Sequence, residues 1–239
     1  RTVRHAGAFE LGVMLPYAYR TGLEQNTIRE DSVKRRAFEE AFEGHDEWLP
    51  RLPFRASESP LRFVPECEAW FLEAQQHAEY DAYWHHEGWN MAEHIDRYPD
   101  VPIMLEASWY GHHVWATTAK FVELRKRNRA PVSMILGPWL HGYEDFGRTW
   151  AGDVDFGAES TFDVNDERLR WFDEFVKGFD TGIRAEPPVR IFVMGGGSGR
   201  RNLDGRLDHG GAWRGEHEWP LARTRWTPFY LHADGTLGT

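Results

Sequence analysis

The chain has a single cysteine, Cys67, in 239 residues, which excludes a disulfide within it. Scarce cysteine leans towards a reducing compartment, so a cytoplasmic location is the expectation. Long apolar runs are missing too: none approaches the roughly 20 residues that a membrane helix needs. Positive charge is short, with 28 Lys and Arg against 38 Asp and Glu and a net charge of −10. A nucleic-acid surface needs clustered cations to displace counterions, and an anionic lipid surface needs them as well. Neither nucleic acid nor a membrane is therefore expected as a partner. Internal repeats and low-complexity tracts are absent. The sequence begins at Arg1 with no signal peptide behind it, which suggests a native amino terminus further upstream.

What is abundant is aromatic. Aromatics make up 15% of the chain, and there are 12 tryptophans. Such residues fill cores, and they also suit clefts that hold apolar ligands. Hydrophobic spacing places helices over residues 32–42, 67–77, 114–127 and 165–177. In the second of these Trp70, Phe71 and Ala74 point inward. In the last, Leu169, Phe172 and Val176 form the buried face and Gly178 supplies the stop. Residues 7–15 read as a strand and its exit. Three prolines, Pro50, Pro53 and Pro60, make residues 49–60 a loop. Residues 101–107 and 132–136 are short apolar strands on either side of the helix at 114–127. Strand, helix, strand with short joints is a βαβ unit with parallel strands. Beyond Pro187 and Pro188 the texture becomes all-β, with strands over residues 189–194 and 226–232.

In open α/β sheets, ligands sit beyond the carboxyl ends of the strands. Two loops leave that edge: Ser108-Trp109-Tyr110-Gly111-His112-His113 and Gly137-Pro138-Trp139-Leu140-His141-Gly142. His141 stands where a general base is useful, because imidazole titrates near neutral pH. The doublets His85-His86 and His112-His113 do not make a metal site on this reading. Adjacent residues usually point apart, and no His-x-x-x-His pair or cysteine pair supports one. No metal and no cofactor is expected. The glycines at 195–199 precede no helix, so they are not a dinucleotide fingerprint. Aromatics of the early helical region (Trp48, Trp70, Phe71, Tyr83, Trp84, Trp89) suit either an acyl pocket or packing between helices.

The Trp109-Tyr110 pair and the Gly137-Pro138-Trp139-Leu140-His141-Gly142 turn carry a resemblance. So do Gly152-Asp153-Val154-Asp155-Phe156-Gly157 and Leu169-Arg170-Trp171-Phe172-Asp173. The match runs on through Pro188 to Gly195, Trp219-Pro220-Leu221 and Thr227 to Leu231. Together these segments resemble the cocaine-esterase and Xaa-Pro dipeptidyl-peptidase superfamily of serine hydrolases (CocE/NonD type) over about residues 99–239. The resemblance implies an α/β fold: the carboxyl-terminal half of an α/β-hydrolase domain with a helical cap, then the start of a β-sandwich jelly roll. The implied divisions are residues 1–20 as strand and entry to the cap, 21–98 as cap, 99–182 as hydrolase core and 183–239 as the beginning of the jelly roll. It implies a Ser-His-Asp acyl-enzyme route with His141 as catalytic base. Trp109, Tyr110 and Trp139 are then the substrate-binding candidates, for a small ester, an amide or a short peptide.

Two departures matter. The superfamily's nucleophile lies in a Gly-x-Ser-Tyr-x-Gly elbow, and none occurs in these 239 residues. Ser108 lacks its glycine frame, and Ser198 lies in a glycine-rich turn before the all-β tail. The chain therefore reads as a fragment whose nucleophile lies elsewhere. The second departure is the acid. Relatives place Asp directly after the Trp-Tyr pair to orient the histidine; here Gly111 occupies that position. Glu106, Glu144 and Asp145 are near in sequence but match no family position. The rival expectation is a non-catalytic homologue or ligand-binding piece, which Gly111 favours and the intact Gly-Pro-Trp-Leu-His-Gly turn opposes.

Overall fold

The computed structural model describes residues 3–5, 7–88, 90–142 and 146–239. The chain forms two compact units, Arg1–Glu93 and His94–Thr239. None of the described helices is long and apolar enough to cross a membrane.

The first unit opens with a hairpin of β1 (Arg4–His5) and β2 (Ala8–Phe9). Helices α1 (Leu11–Leu23), α2 (Asn26–Arg29), α3 (Ser32–Phe42) and α4 (Pro65–Gln76) follow. The strand expected over residues 7–15 is mostly helix. Met14, Leu15, Ala18 and Gly22 are its buried positions, and that i, i+4, i+8 period becomes visible only over a longer window. The expected helix at 32–42 forms with those bounds. Asp31 starts it by accepting from the Val33 and Lys34 amides at 3.1 and 2.9 Å. Phe38, Phe71, Leu15 and Ile28 are fully buried in one core. Gly22 lets α1 approach closely: a Cβ there would stand 2.9 Å from Val64 and 3.0 Å from the Phe38 ring. Of the aromatics singled out in this region, Phe71 belongs to this core, while Trp48 and Trp70 pack against it. Tyr83 stacks on His77 at 4.4 Å, and the Trp84 indole donates to the His77 carbonyl. Trp89 lies outside the described residues.

The second unit is built on a four-stranded sheet. β3 (Ile103–Ser108), helix α5 (Val114–Arg127) and β4 (Val132–Gly137) form the expected βαβ unit, with β3 and β4 parallel from Ile103↔Val132 to Ser108↔Gly137. Phe121 and Leu124 of α5 bury against Val132, Met134 and Leu136. Two short strands, β5 (Trp150–Ala151) and β6 (Val154–Asp155), precede helix α6 (Val164–Phe172), which runs on through one π turn, Asp173–Lys177. It stops at Gly178, whose φ of 77° is left-handed.

The inward face of α6 corrects the expectation. Leu169, Phe172 and Val176 are 54%, 56% and 74% exposed, whereas Glu167, Trp171 and Glu174 are buried. The reason is pairing. Glu167 accepts from Arg170 at 3.0 Å and from Arg190 at 2.5 Å, and Arg170 and Arg190 both hold Glu186. Glu174 accepts from the Thr181 amide at 2.8 Å and pairs with Arg184. The Thr181 amide, with Arg184 beside it, holds the Glu174 carboxyl below the usual carboxylate range. Buried carboxylates are tolerated when charge and hydrogen bonds meet them.

The sheet also continues past residue 183, where an all-β domain was expected to begin. β7 (Val189–Met194) pairs in parallel with β4. Val189 and Ile191 enter the same core as Met134 and Leu136, which draws the strand into the parallel sheet. After β8 (Leu207–Asp208), β9 (Gly211–Glu216) closes the edge antiparallel to β7, giving the order β3-β4-β7-β9. β8 joins β5 and β6 in a small second sheet. The strand expected over residues 226–232 is short: only β10 (Tyr230–Leu231) pairs, with β11 (Leu237–Gly238).

Candidate active site

Because β3 and β4 are parallel and end together at Ser108 and Gly137, their following loops leave the same edge of the sheet. Backbone bonds hold those loops side by side. The Trp109 amide donates to the Gly137 carbonyl at 2.9 Å, and the Tyr110 amide to the Trp139 carbonyl at 3.3 Å. β4 lies between β3 and β7, so the second loop follows an inner strand.

The Gly-Pro-Trp turn has a steric logic. The Trp139 ring folds back over Gly137, where a Cβ would lie 2.2 Å from it. Trp139 is fully buried and packs on Phe146 at 4.9 Å and Trp213 at 5.6 Å. It therefore anchors the turn and presents no surface to a substrate, which corrects its expected place in substrate binding. Two residues on, His141 emerges exposed.

Around His141 the structure gathers two more imidazoles. The rings of His112 and His113 lie 4.8 and 5.0 Å from it and 3.9 Å from each other. The expectation that adjacent histidines point apart fails here for a backbone reason. His113 has φ −89° and ψ −9° as it enters α5, a helical rather than extended conformation. Successive side chains there diverge by about 100°, not 180°. Burial pushes the His113 imidazole down to about 4, helped by repulsion from His112, His141 and Lys120. His113 is thus neutral at pH 7.

Gly111 is buried against Ser108. Its φ is not in the left-handed region, so the backbone does not demand glycine, but a Cβ would meet Ser108 Oγ at 2.4 Å. Among the acids near in sequence, Glu106 is engaged by Arg168, whose Nε donates to it at 2.8 Å. Glu144 and Asp145 lie outside the described residues. Of the remaining candidates, Trp109 donates its indole N–H to the Phe192 carbonyl at 2.8 Å and packs in the core beside Trp219. Tyr110 is 43% exposed, with its hydroxyl 3.3 Å from Met194 Sδ. Ser108 is buried, and Ser198 is exposed with its amide bonded to Asp208.

The fold and this edge define a mixed α/β protein with a histidine-bearing loop after an inner parallel strand, at the sheet edge where open α/β folds bind ligands. The sequence profile of the X-Pro dipeptidyl-peptidase (S15) family matches residues 2–143, more than half of the chain, and the protein belongs to that family. Cocaine esterase of Rhodococcus sp. (strain MB1 Bresler) is 30% identical over 142 residues, which is 58% of this chain and 21% of the esterase. An aminopeptidase from a marine sediment Thaumarchaeota archaeon aligns in structure over 99% of this chain and 35% of its own, at 18% identity and TM-score 0.57. A CocE/NonD family hydrolase from Staphylococcus aureus aligns over 68% of this chain and 24% of its own, at 16% identity and TM-score 0.42. The chain spans about a fifth of the length of the cocaine esterase. These relatives carry the names of an esterase and of peptidases.

Proposed function

We propose that this chain is part of a serine hydrolase in which His141 is the general base, and then the general acid, of an acyl-enzyme reaction on a small ester, an amide or a short peptide. The observation that carries this reading is the position of His141. It follows β4 on a turn locked by Trp139, exposed at the carboxyl edge of the parallel sheet, inside the segment that matches the family. An imidazole there takes the proton from a serine hydroxyl as it attacks the carbonyl, then returns it to the leaving group. The serine comes from outside these 239 residues, in the superfamily's Gly-x-Ser-Tyr-x-Gly elbow. On this reading residues 21–98 belong to the helical cap. The hydrolase core runs from residue 99 through β9, and the segment after β9 leads into the jelly roll. Tyr110, exposed at the rim, is the substrate-contacting aromatic. No cofactor is needed.

A second reading, a non-catalytic homologue that binds a ligand, is favoured by Gly111 alone: glycine offers no carboxylate to orient the imidazole. For the first reading, the 239-residue chain by itself should hydrolyse p-nitrophenyl acetate no faster than free imidazole at the same histidine concentration. Fluorophosphonate should leave Ser108 and Ser198 unlabelled. Turnover with an adduct on either serine would place the nucleophile inside the chain and refute the proposal.

A further inference from the structure

We propose that His112, His113 and His141 form a binding site for one divalent transition-metal ion, of the imidazole-preferring class (zinc, copper or nickel), and that the bound ion takes His141 out of use as a base. One ring nitrogen from each residue lies within 4.8 Å of the other two. A tetrahedral ion at about 2.0–2.1 Å from each nitrogen holds them about 3.4 Å apart, so the cluster must close by up to about 1.4 Å. His141 is exposed at a loop, and turning its ring supplies that movement. The two adjacent residues converge because the chain enters α5 at His113, so a loop after β3 and a loop after β4 deliver three nitrogens to one point. Among the described residues, no carboxylate joins the trio. All-imidazole donors select zinc, copper and nickel over calcium and magnesium, which require oxygen. Three protein ligands leave a fourth position for water. The lone pair that bonds the metal is the one a base would use, so metal binding and proton abstraction through that nitrogen exclude each other.

Metal binding does not depend on the hydrolase reading; only its consequence for catalysis does. The test uses the 239-residue chain, which needs no nucleophile for the purpose. Zinc chloride is titrated calorimetrically in a non-coordinating buffer, and cobalt(II) is followed by visible absorption. The expected result is one ion per chain. His112→Gln, His113→Gln and His141→Gln should each weaken zinc by at least about tenfold, since losing a ligand costs no less than losing its supporting partner. The double variant His85→Gln/His86→Gln should bind as the parent does. Circular dichroism checks that each variant is folded, and His141, being exposed, gives the safest of the three. Capture of His141 is read by diethyl pyrocarbonate labelling and peptide mass spectrometry: saturating zinc should slow carbethoxylation of His141 at least about tenfold. Failure to find a stoichiometric site, or zinc binding that survives His141→Gln unchanged, would overturn the site. Stoichiometric binding with His141 still fully reactive would overturn the capture and leave the hydrolase reading untouched.

Discussion

At Gly137 the absence of a Cβ decides whether the candidate site forms. With the Trp139 ring 2.2 Å from where that atom would be, Gly137→Ala should force the ring out and destabilise the protein by about 1–3 kcal/mol in urea unfolding. At Gly111 the obstacle is smaller, because the nearest atom is the hydroxyl of Ser108. In a polypeptide that includes the serine elbow, Gly111→Asp combined with Ser108→Ala should raise the hydrolytic rate, by up to about 10⁴-fold if no other acid serves. An unchanged rate in the folded double variant would show that the acid comes from elsewhere. His113 gives a pH signature. Its imidazole sits at about 4 when folded against an ordinary 6.5, so as pH falls the unfolded chain takes up the proton first. The stability held by neutral His113 is complete above pH 6.5 and is lost as pH falls towards 4. In EDTA, the melting temperature of the parent should therefore fall more steeply across that window than that of His113→Asn; parallel curves would contradict the burial argument.

Elements differ in how far their sequences disclose them. α3 and α5 are legible because each carries a clear 3.6-residue period of apolar positions. β3, β4 and β7 are legible as apolar runs, but the membership of β7 in the parallel sheet depends on which core it meets, and no local signal states that. The direction of α6 is hidden for a related reason. Glu167 and Glu174 look like solvent residues until Arg190 and Arg184, distant in sequence, meet them. The site divides the same way. The loop positions of His141 and Gly111 follow from the βαβ pattern, while the convergence of His112 and His113 rests on one backbone conformation at the start of α5. The burial of Trp139 was equally invisible, because an aromatic in a loop looks the same whether it lines a pocket or plugs a core. For α6 the structure predicts that Trp171→Ala costs about 3–5 kcal/mol, whereas Leu169→Gln on the exposed face changes stability by no more than about 0.5 kcal/mol. Chemical denaturation of the two variants compares the faces directly, and equal costs would restore the reversed orientation.

For the molecule as a whole, the two compact units divide the work unevenly. The unit His94–Thr239 carries the sheet edge, the locked turn and the three histidines, so the proposed chemistry of this chain resides there. What it lacks is a framed serine and an acid at position 111, and both gaps concern the partners of His141 rather than His141 itself. The role of that residue is therefore the claim on which the rest depends. The most direct measurement is the steady-state hydrolysis of p-nitrophenyl acetate by a polypeptide joining this chain to a Gly-x-Ser-Tyr-x-Gly elbow upstream, compared with its His141→Ala variant in EDTA. A base in a serine triad predicts a loss of kcat of about 10⁴-fold or more, with KM little changed; a variant that keeps the parent's kcat would contradict the assignment of His141.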